Sequence, residues 1–154
     1  MLRVNKVDEW LRAAPTRPDM STHGNCVLIR AASLTPGVTS QSAGAQALCL
    51  HVVMIPPGSR GMPHYHQDHE TAIYSVSGQT EVWHGDGLVK RTVVRAGDFM
   101  YIPPGTPHLP VNRGEITAIA VVAGTNPGET GDRVTVELPR HLSGLLSLPV
   151  AVQE

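Results

Sequence analysis

Proline and glycine divide this chain into short apolar runs, and this division constrains the fold more than any other feature of the sequence. The 154 residues include 13 prolines and 15 glycines. Turn sequences rich in these residues are Pro56-Pro57-Gly58, His84-Gly85-Asp86-Gly87, Ala96-Gly97-Asp98, Pro103-Pro104-Gly105 and Arg113-Gly114. Short runs at intervals of roughly eight to twelve residues are typical of an all-β sandwich or a barrel closed on itself. We therefore predict an all-β fold.

The apolar runs between these turns predict ten strands. Their ranges are 26–31, 45–55, 62–66, 71–77, 80–83, 88–94, 99–102, 109–111, 116–122 and 134–138. A short helix is expected over 7–14, before Pro15 ends it, an irregular segment over 16–23, and a loop covering one end of the barrel over 34–44. The tail after Pro139 is expected to pack on the barrel or on a second subunit, because its leucines have near-helical spacing. We assign an N-terminal arm to 1–24, the barrel domain to 25–138 and a C-terminal tail to 139–154.

Composition and charge narrow the class of protein. Hydrophobic residues make up 41% of the chain and charged residues 16%, with a net charge of -1, which is typical of a globular domain. Because no basic run occurs, we expect neither nucleic acid nor a membrane as a partner. No apolar stretch approaches the ~18 residues that a spanning helix needs, and Cys26 and Cys49 are expected to be buried thiols. These features favour a cytoplasmic protein.

Histidines concentrate in two segments of the sequence. The first contains His64, His66 and His69, followed by Glu70, and the second ends a proline-rich turn at His108. Because side chains alternate along a strand, His64 and His66 point the same way, about 7 Å apart. Two imidazoles on one face can share an ion at ~2.0–2.1 Å from each ring. Further ligands must then come from the residues after His66 and from His108, and the pattern predicts a transition-metal site.

These two segments resemble the two motifs of the cupin superfamily. Every defined position of the family's second motif is matched, by Gly97, Pro103, Gly105, His108 and Asn112. The first motif is matched, with one departure, by Gly58, His64, His66, Glu70 and Gly78. The resemblance covers 56–112 and implies a double-stranded β-helix, which is a jelly-roll barrel, often as a homodimer. It also implies a metal ion held by His64, His66, Glu70 and His108.

The departure concerns the phase of one strand. Glu70 has the family's spacing from His66 but lies one residue too early relative to Gly78, so that Thr71 occupies the carboxylate position. An offset of one residue turns a side chain to the other face of a strand. Either a β-bulge directs Glu70 inward, which we favour, or His69 and Thr71 face inward and His69 replaces the carboxylate. Binding by both His69 and Glu70 is a third possibility.

The predicted ligands leave the metal and its chemistry open. Imidazoles with one carboxylate suit Fe, Mn, Ni, Co or Zn as divalent ions. Iron would support dioxygenation of a small organic substrate, and zinc would act as a Lewis acid in cyclisation or isomerisation, with Glu70 or His69 as general base. The small cupins that this chain resembles include oxygenases and polyketide cyclases. We therefore expect a metal-dependent oxidoreductase of dioxygenase type or a polyketide-cyclase-like enzyme; the alternative is a non-catalytic metal-dependent binding or sensor domain.

The remaining polar residues of interest are the small side chains of one strand and the other histidines. Thr71, Ser75 and Ser77 share one face of a predicted strand, and if that face is inward these small side chains leave room for a flat, moderately polar substrate. His51 is expected to be a core histidine. The histidines expected at the surface are His23, His84 and His141.

Overall fold

The computed structural model describes residues 19–23, 26–30, 37–128 and 132–151, with the backbone alone for the first two ranges. Twelve strands account for most of these residues. They are β1 (Asp19–His23), β2 (Cys26–Arg30), β3 (Cys49–Ile55), β4 (Ser59–Arg60), β5 (His64–His66), β6 (Thr71–Ser77), β7 (Gln79–His84), β8 (Lys90–Arg95), β9 (Phe99–Ile102), β10 (His108–Asn112), β11 (Ala118–Gly124) and β12 (Arg133–Thr135). A four-residue helix, α1 (Ser40–Ala43), and two 3₁₀ helices, Asp86–Leu88 and Arg140–Ser147, complete the described elements.

The strands pair into antiparallel sheets. One six-stranded sheet has the order β12-β5-β10-β7-β8, with β4 also paired to β10, and a four-stranded sheet has the order β3-β11-β6-β9. Strands β1 and β2 form a separate hairpin. Non-consecutive strands are neighbours in both large sheets, which is how a chain winds alternately between two sheets of a jelly roll. The all-β prediction is confirmed.

The structure corrects several boundaries. Residues 19–23, which we expected to be irregular, form β1, because the polar segment Asp19–His23 pairs in register with Cys26–Arg30. A strand without an apolar face leaves no period-two signal in the sequence, so this prediction was wrong. The ranges 71–77 and 99–102 are confirmed residue for residue. The helix expected over 7–14 lies outside the described residues, as does the start of the loop expected over 34–44.

The C-terminal tail packs on the six-stranded sheet. Leu142 and Leu145 of the second 3₁₀ helix join Leu109 and Val111 of β10 in one buried cluster. The buried Arg60 side chain reinforces this contact, because its Nε donates to the Leu145 carbonyl at 2.9 Å. Along β10 the alternate residues His108 and Asn112 face away from the leucines and are also buried. The tail therefore covers one face of β10 while the other face carries the predicted metal ligand.

The outer face of the four-stranded sheet is apolar and exposed. Phe99 is 82% exposed and Tyr101 58%, and the Tyr74 ring lies 4.7 Å from the ring of Phe99. Leu50 and Val76 are also among the exposed residues. The homodimer expected from the resemblance stays a prediction. Among the described residues, the helices all fall short of the length and hydropathy that a membrane-crossing helix requires.

Candidate metal centre

Three of the predicted ligands converge inside the barrel. Strands β5 and β10 are antiparallel neighbours with His64 directly opposite His108, so the two side chains share a face. His66 follows two residues along β5 on that face. The ring centroids are 4.4 Å apart for His64 and His108, 5.0 Å for His64 and His66, and 5.7 Å for His66 and His108. One ring nitrogen from each lies within 4.8 Å of the others, which is close enough to hold one metal ion.

Backbone carbonyls fix which nitrogen faces the centre. Nδ1 of His64 lies 2.7 Å from the Met62 carbonyl, and Nδ1 of His108 lies 2.9 Å from the Thr106 carbonyl. A carbonyl only accepts, so in the neutral ring Nδ1–H is the donor and Nε2 keeps its lone pair for a metal. Hydrogen bonds of this kind orient metal-binding histidines and set their tautomer.

The glycine of the second motif holds its turn against β5, the strand that carries the histidines of the first motif. Gly105 has a φ of 71°, in the region that favours glycine,. Its N–H donates to the carbonyl of His66 at 2.7 Å. The turn that carries His108 is therefore anchored to the strand that carries His64 and His66, which fixes the spacing between the two motifs in space.

The electrostatics of the three histidines favour the neutral, ligating form. Burial, followed by the neighbouring His108, lowers the pKa of His64 to about 3. Burial, followed by His69 and His108, lowers the pKa of His66 to about 4, and burial also lowers the pKa of His108. Since metal binding requires unprotonated imidazole, these rings bind without first losing a proton at neutral pH. The residues present thus fit a first-row divalent ion.

A second cluster adjoins the first through His66. The ring of His69 lies 4.0 Å from the ring of His66 and is buried, with 6% of its surface exposed. Nδ1 of His69 lies 2.9 Å from Oδ2 of Asp132, and Nδ1 of His66 lies 3.6 Å from Oδ1 of the same carboxylate. His66, His69 and Asp132 could also hold an ion together. The structure thus brings His69 beside the three-histidine centre.

Asp132 is held as a carboxylate. Burial would raise its pKa, but a hydrogen bond from the Asp68 N–H and the neighbouring His69 and His66 outweigh that effect and lower the pKa below its usual value. The Asp68 N–H lies 3.0 Å from Oδ2. Sequence reasoning missed this residue. A Gly-Asp pair just before the predicted strand 134–138 was the available signal, and it reads as an ordinary turn.

The structure does not bring Glu70 to the histidines. Glu70 is exposed, and its Oε1 accepts a hydrogen bond of 2.8 Å from the hydroxyl of Tyr101. The next residue, Thr71, is 5% exposed. This is the second of the two arrangements considered above, with His69 and Thr71 inward, and not the arrangement that we favoured.

A bulge is present between Glu70 and Gly78, but its position explains why Glu70 stays outside. The register of β6 against β11 shifts so that Ser75 pairs with Ala120 and Ser77 with Ile119. The extra residue is Val76, close to the end of β6. From Thr71 to Tyr74 the strand pairs regularly on both sides, so the bulge cannot change the phase at its beginning.

The small side chains of β6 face inward, as expected for the arrangement in which His69 and Thr71 also face inward. Thr71, Ser75 and Ser77 are all buried. Gly124 of β11 pairs with Thr71, and a Cβ at Gly124 would lie 3.4 Å from Cδ2 of His69 and 3.0 Å from Sγ of Cys49. The interior beside His69 is therefore lined by small residues.

The remaining histidines lie outside the two clusters. His51, on β3, is half-buried, and burial followed by the charge of His69 lowers its pKa. His84 places Nε2 2.9 Å from Oγ1 of Thr92, and the exposed His141 places Nε2 3.2 Å from the Leu88 carbonyl. The side chain of His23 lies outside the described residues.

Comparison with known proteins identifies the class. The family model described as the cupin domain matches residues 51–124, the part of the chain that holds both motifs. That part of the chain matches the cupin domain, and the fold is a double-stranded β-helix. No curated protein matches the chain in sequence.

Solved structures give the same fold. An uncharacterized conserved protein with a double-stranded β-helix domain from Klebsiella pneumoniae is 23% identical, with a TM-score of 0.56, and the match covers 89% of this chain and 99% of that one. Oxalate decarboxylase from Bacillus subtilis, described as having Mn(II) centres, is 20% identical, with a TM-score of 0.58, over 64% of this chain. The chain spans 26% of that enzyme's length. At these identities the likeness concerns the fold.

Proposed function

We propose that this protein is a metal-dependent enzyme that acts on a small organic substrate, with His64, His66 and His108 as the metal ligands. The observation that carries the proposal is the convergence of three buried imidazoles with ring nitrogens within 4.8 Å of one another. Two of the rings are already fixed by backbone carbonyls with Nε2 available. Three protein ligands leave further coordination positions open, which is typical of catalytic rather than structural sites.

A first-row divalent ion at this position would polarise a bound substrate or, as Fe(II), support reaction with dioxygen. Because His64 and His108 are buried, charges at this centre interact more strongly than they would in water. His69, held by Asp132 and adjacent to His66, lies where it can contact a substrate at the centre. We favour oxygenase chemistry, with cyclisation or isomerisation as the outcome for a zinc protein.

Elemental analysis of protein purified without added metal tests the proposal. We expect about one equivalent of a first-row metal, lost in His64→Ala and His108→Ala because few ligands remain. His141→Ala, which removes an exposed histidine of the second 3₁₀ helix, is the matched control and should keep the metal. Oxygen uptake with candidate substrates by the iron-loaded protein then separates an oxygenase from Lewis-acid chemistry. Full metal content in both ligand variants would overturn the assignment.

We further propose that His69, and not Glu70, is the additional residue that supports metal binding by the three histidines. His69 is buried within 4.0 Å of the His66 ring, whereas Glu70 is exposed and bonded to Tyr101. His69→Ala should therefore weaken metal binding about tenfold or more, and Glu70→Ala should leave it unchanged. Isothermal titration of the metal-free proteins with Zn(II) measures both. Weaker binding in Glu70→Ala alone would restore the carboxylate assignment.

A further inference from the structure

Arg133 lies on β12, the strand at one edge of the six-stranded sheet, next to β5. In β12 it lies directly opposite His66 of β5. Directly opposed residues of an antiparallel pair project from the same face of the sheet. The face of β5 that carries His66 also carries His64 and the proposed ion. Arg133 therefore projects toward the interior side of the sheet, where the ligands are.

The surroundings of Arg133 agree with this placement. Its side chain is partly buried, and burial lowers the pKa of the guanidinium. Its positive charge is near enough to His64 and His108 to contribute to the lowered pKa of each. Two ligands on different strands thus experience the same guanidinium.

No carboxylate in the described part of the chain forms an ion pair with Arg133. The adjacent Asp132 directs its two oxygens to His69 and His66 instead. By contrast Arg91, on the outside of the barrel, pairs with Glu81. A partly desolvated guanidinium beside a divalent ion is costly unless an anion accompanies it. A bound anionic ligand would supply that missing partner.

We propose that Arg133 binds the carboxylate of the substrate, and that the substrate is a small organic acid lying between the metal and this guanidinium. The inference rests on the proposed function, since it names the substrate class of the same site. An arginine presents a planar fork that matches a carboxylate with two parallel hydrogen bonds. Because Thr71 and Ser75 are small inward residues, the rest of the substrate would be selected mainly by its shape.

Anion titration of the cobalt-loaded protein tests the proposal. Co(II) reports its ligands through visible absorption bands, and malonate serves as the probe, with the neutral malonamide as its uncharged analogue. We expect malonate to bind and to shift the cobalt bands, and malonamide to bind much more weakly. Arg133→Gln should weaken malonate binding about ten- to hundredfold while leaving cobalt content and the bands of the ligand-free protein unchanged.

Matched variants keep the result interpretable. Arg95→Gln removes an exposed arginine of β8 and should bind malonate like the unmodified protein. Arg133→Lys keeps the positive charge but lacks the planar fork, so its malonate affinity should lie between those of Arg133→Gln and the unmodified protein. It replaces Arg133→Gln if that variant does not fold. Equal malonate affinity in the Arg133 variants and the unmodified protein, no malonate binding at all, or equal binding of malonamide would each overturn the proposal.

Failure of the proposed function gives a different result. If the unmodified protein does not bind Co(II), the metal assignment fails. Calorimetric titration of the metal-free protein with malonate then decides separately whether Arg133 forms an anion site.

Discussion

Replacing Asn112 should destabilise the whole barrel, because this one side chain bonds three backbone groups and joins the end of β3 to the loop after β10. Asn112 is completely buried. Its Nδ2 donates to the carbonyls of Ile55 and Ile116 at 2.7 and 2.8 Å, and its Oδ1 accepts from the Gly114 N–H at 2.8 Å. At roughly 0.5–1.5 kcal/mol for each hydrogen bond, Asn112→Ala loses about 3 kcal/mol of the free energy of unfolding. For a chain of this length, that lowers Tm by about 6–12 °C.

Urea denaturation of the metal-free protein, followed by circular dichroism, measures this loss without a contribution from the ion. Gln46→Ala is the control, because it removes a single exposed hydrogen bond to the Gly44 carbonyl and should cost less than about 0.5 kcal/mol. A loss below about 1 kcal/mol in Asn112→Ala would refute the reasoning, since the three backbone groups would then have found other partners.

The isosteric variant Asn112→Asp separates hydrogen bonding from volume. A carboxylate there would face the carbonyls of Ile55 and Ile116, so burial and the lost donors should raise its folded pKa above the unfolded value of about 3.9. The charged form is then disfavoured in the folded state. Stability should be lowest at neutral pH and should recover as pH falls through the raised pKa. A pH-independent loss would mean that the new carboxyl reaches water.

Two further variants test the centre. Asp132→Asn should weaken Zn(II) binding about 10- to 100-fold, because the carboxylate beside His66 and His69 orients them; Asp86→Asn, at an exposed turn, is the control, and an unchanged affinity in titration calorimetry would remove Asp132 from the site. Ser75→Leu should weaken malonate binding to the cobalt-loaded protein by filling the inward face of β6, while metal content stays intact; loss of metal in that variant would show that Ser75 supports the ligands instead.

For local physical reasons, the sequence was sufficient to predict the fold and the three histidines that converge in the structure. Glycine and proline fix turns through backbone sterics, and these restrictions act wherever the residues occur. The alternation of side chains along a strand places His64 and His66 on one face without knowledge of the partner strand. His108 was predictable because its turn, with Gly105 at positive φ, is encoded within a few residues.

The position of Glu70 depended on contacts that no local pattern contains. A bulge between Glu70 and Gly78 was expected as one alternative, but its location at Val76 is set by the pairing of β6 with β11. Had it lain at the start of β6, the phase of Glu70 would have changed. Only the neighbouring strands decide where an extra residue is accommodated.

By itself, the sequence determined the all-β architecture, the two histidine segments and the shared face of His64 and His66. The tertiary structure decided which residues surround them: His69 beside the centre, Glu70 outside, and Asp132 and Arg133 brought in by the short strand β12. That strand pairs with β5 although six strands lie between them in the sequence, and pairing between strands so distant in sequence depends on the packing of the whole barrel. The residues proposed to bind metal are therefore largely local in origin, whereas the residue proposed to select the substrate is not.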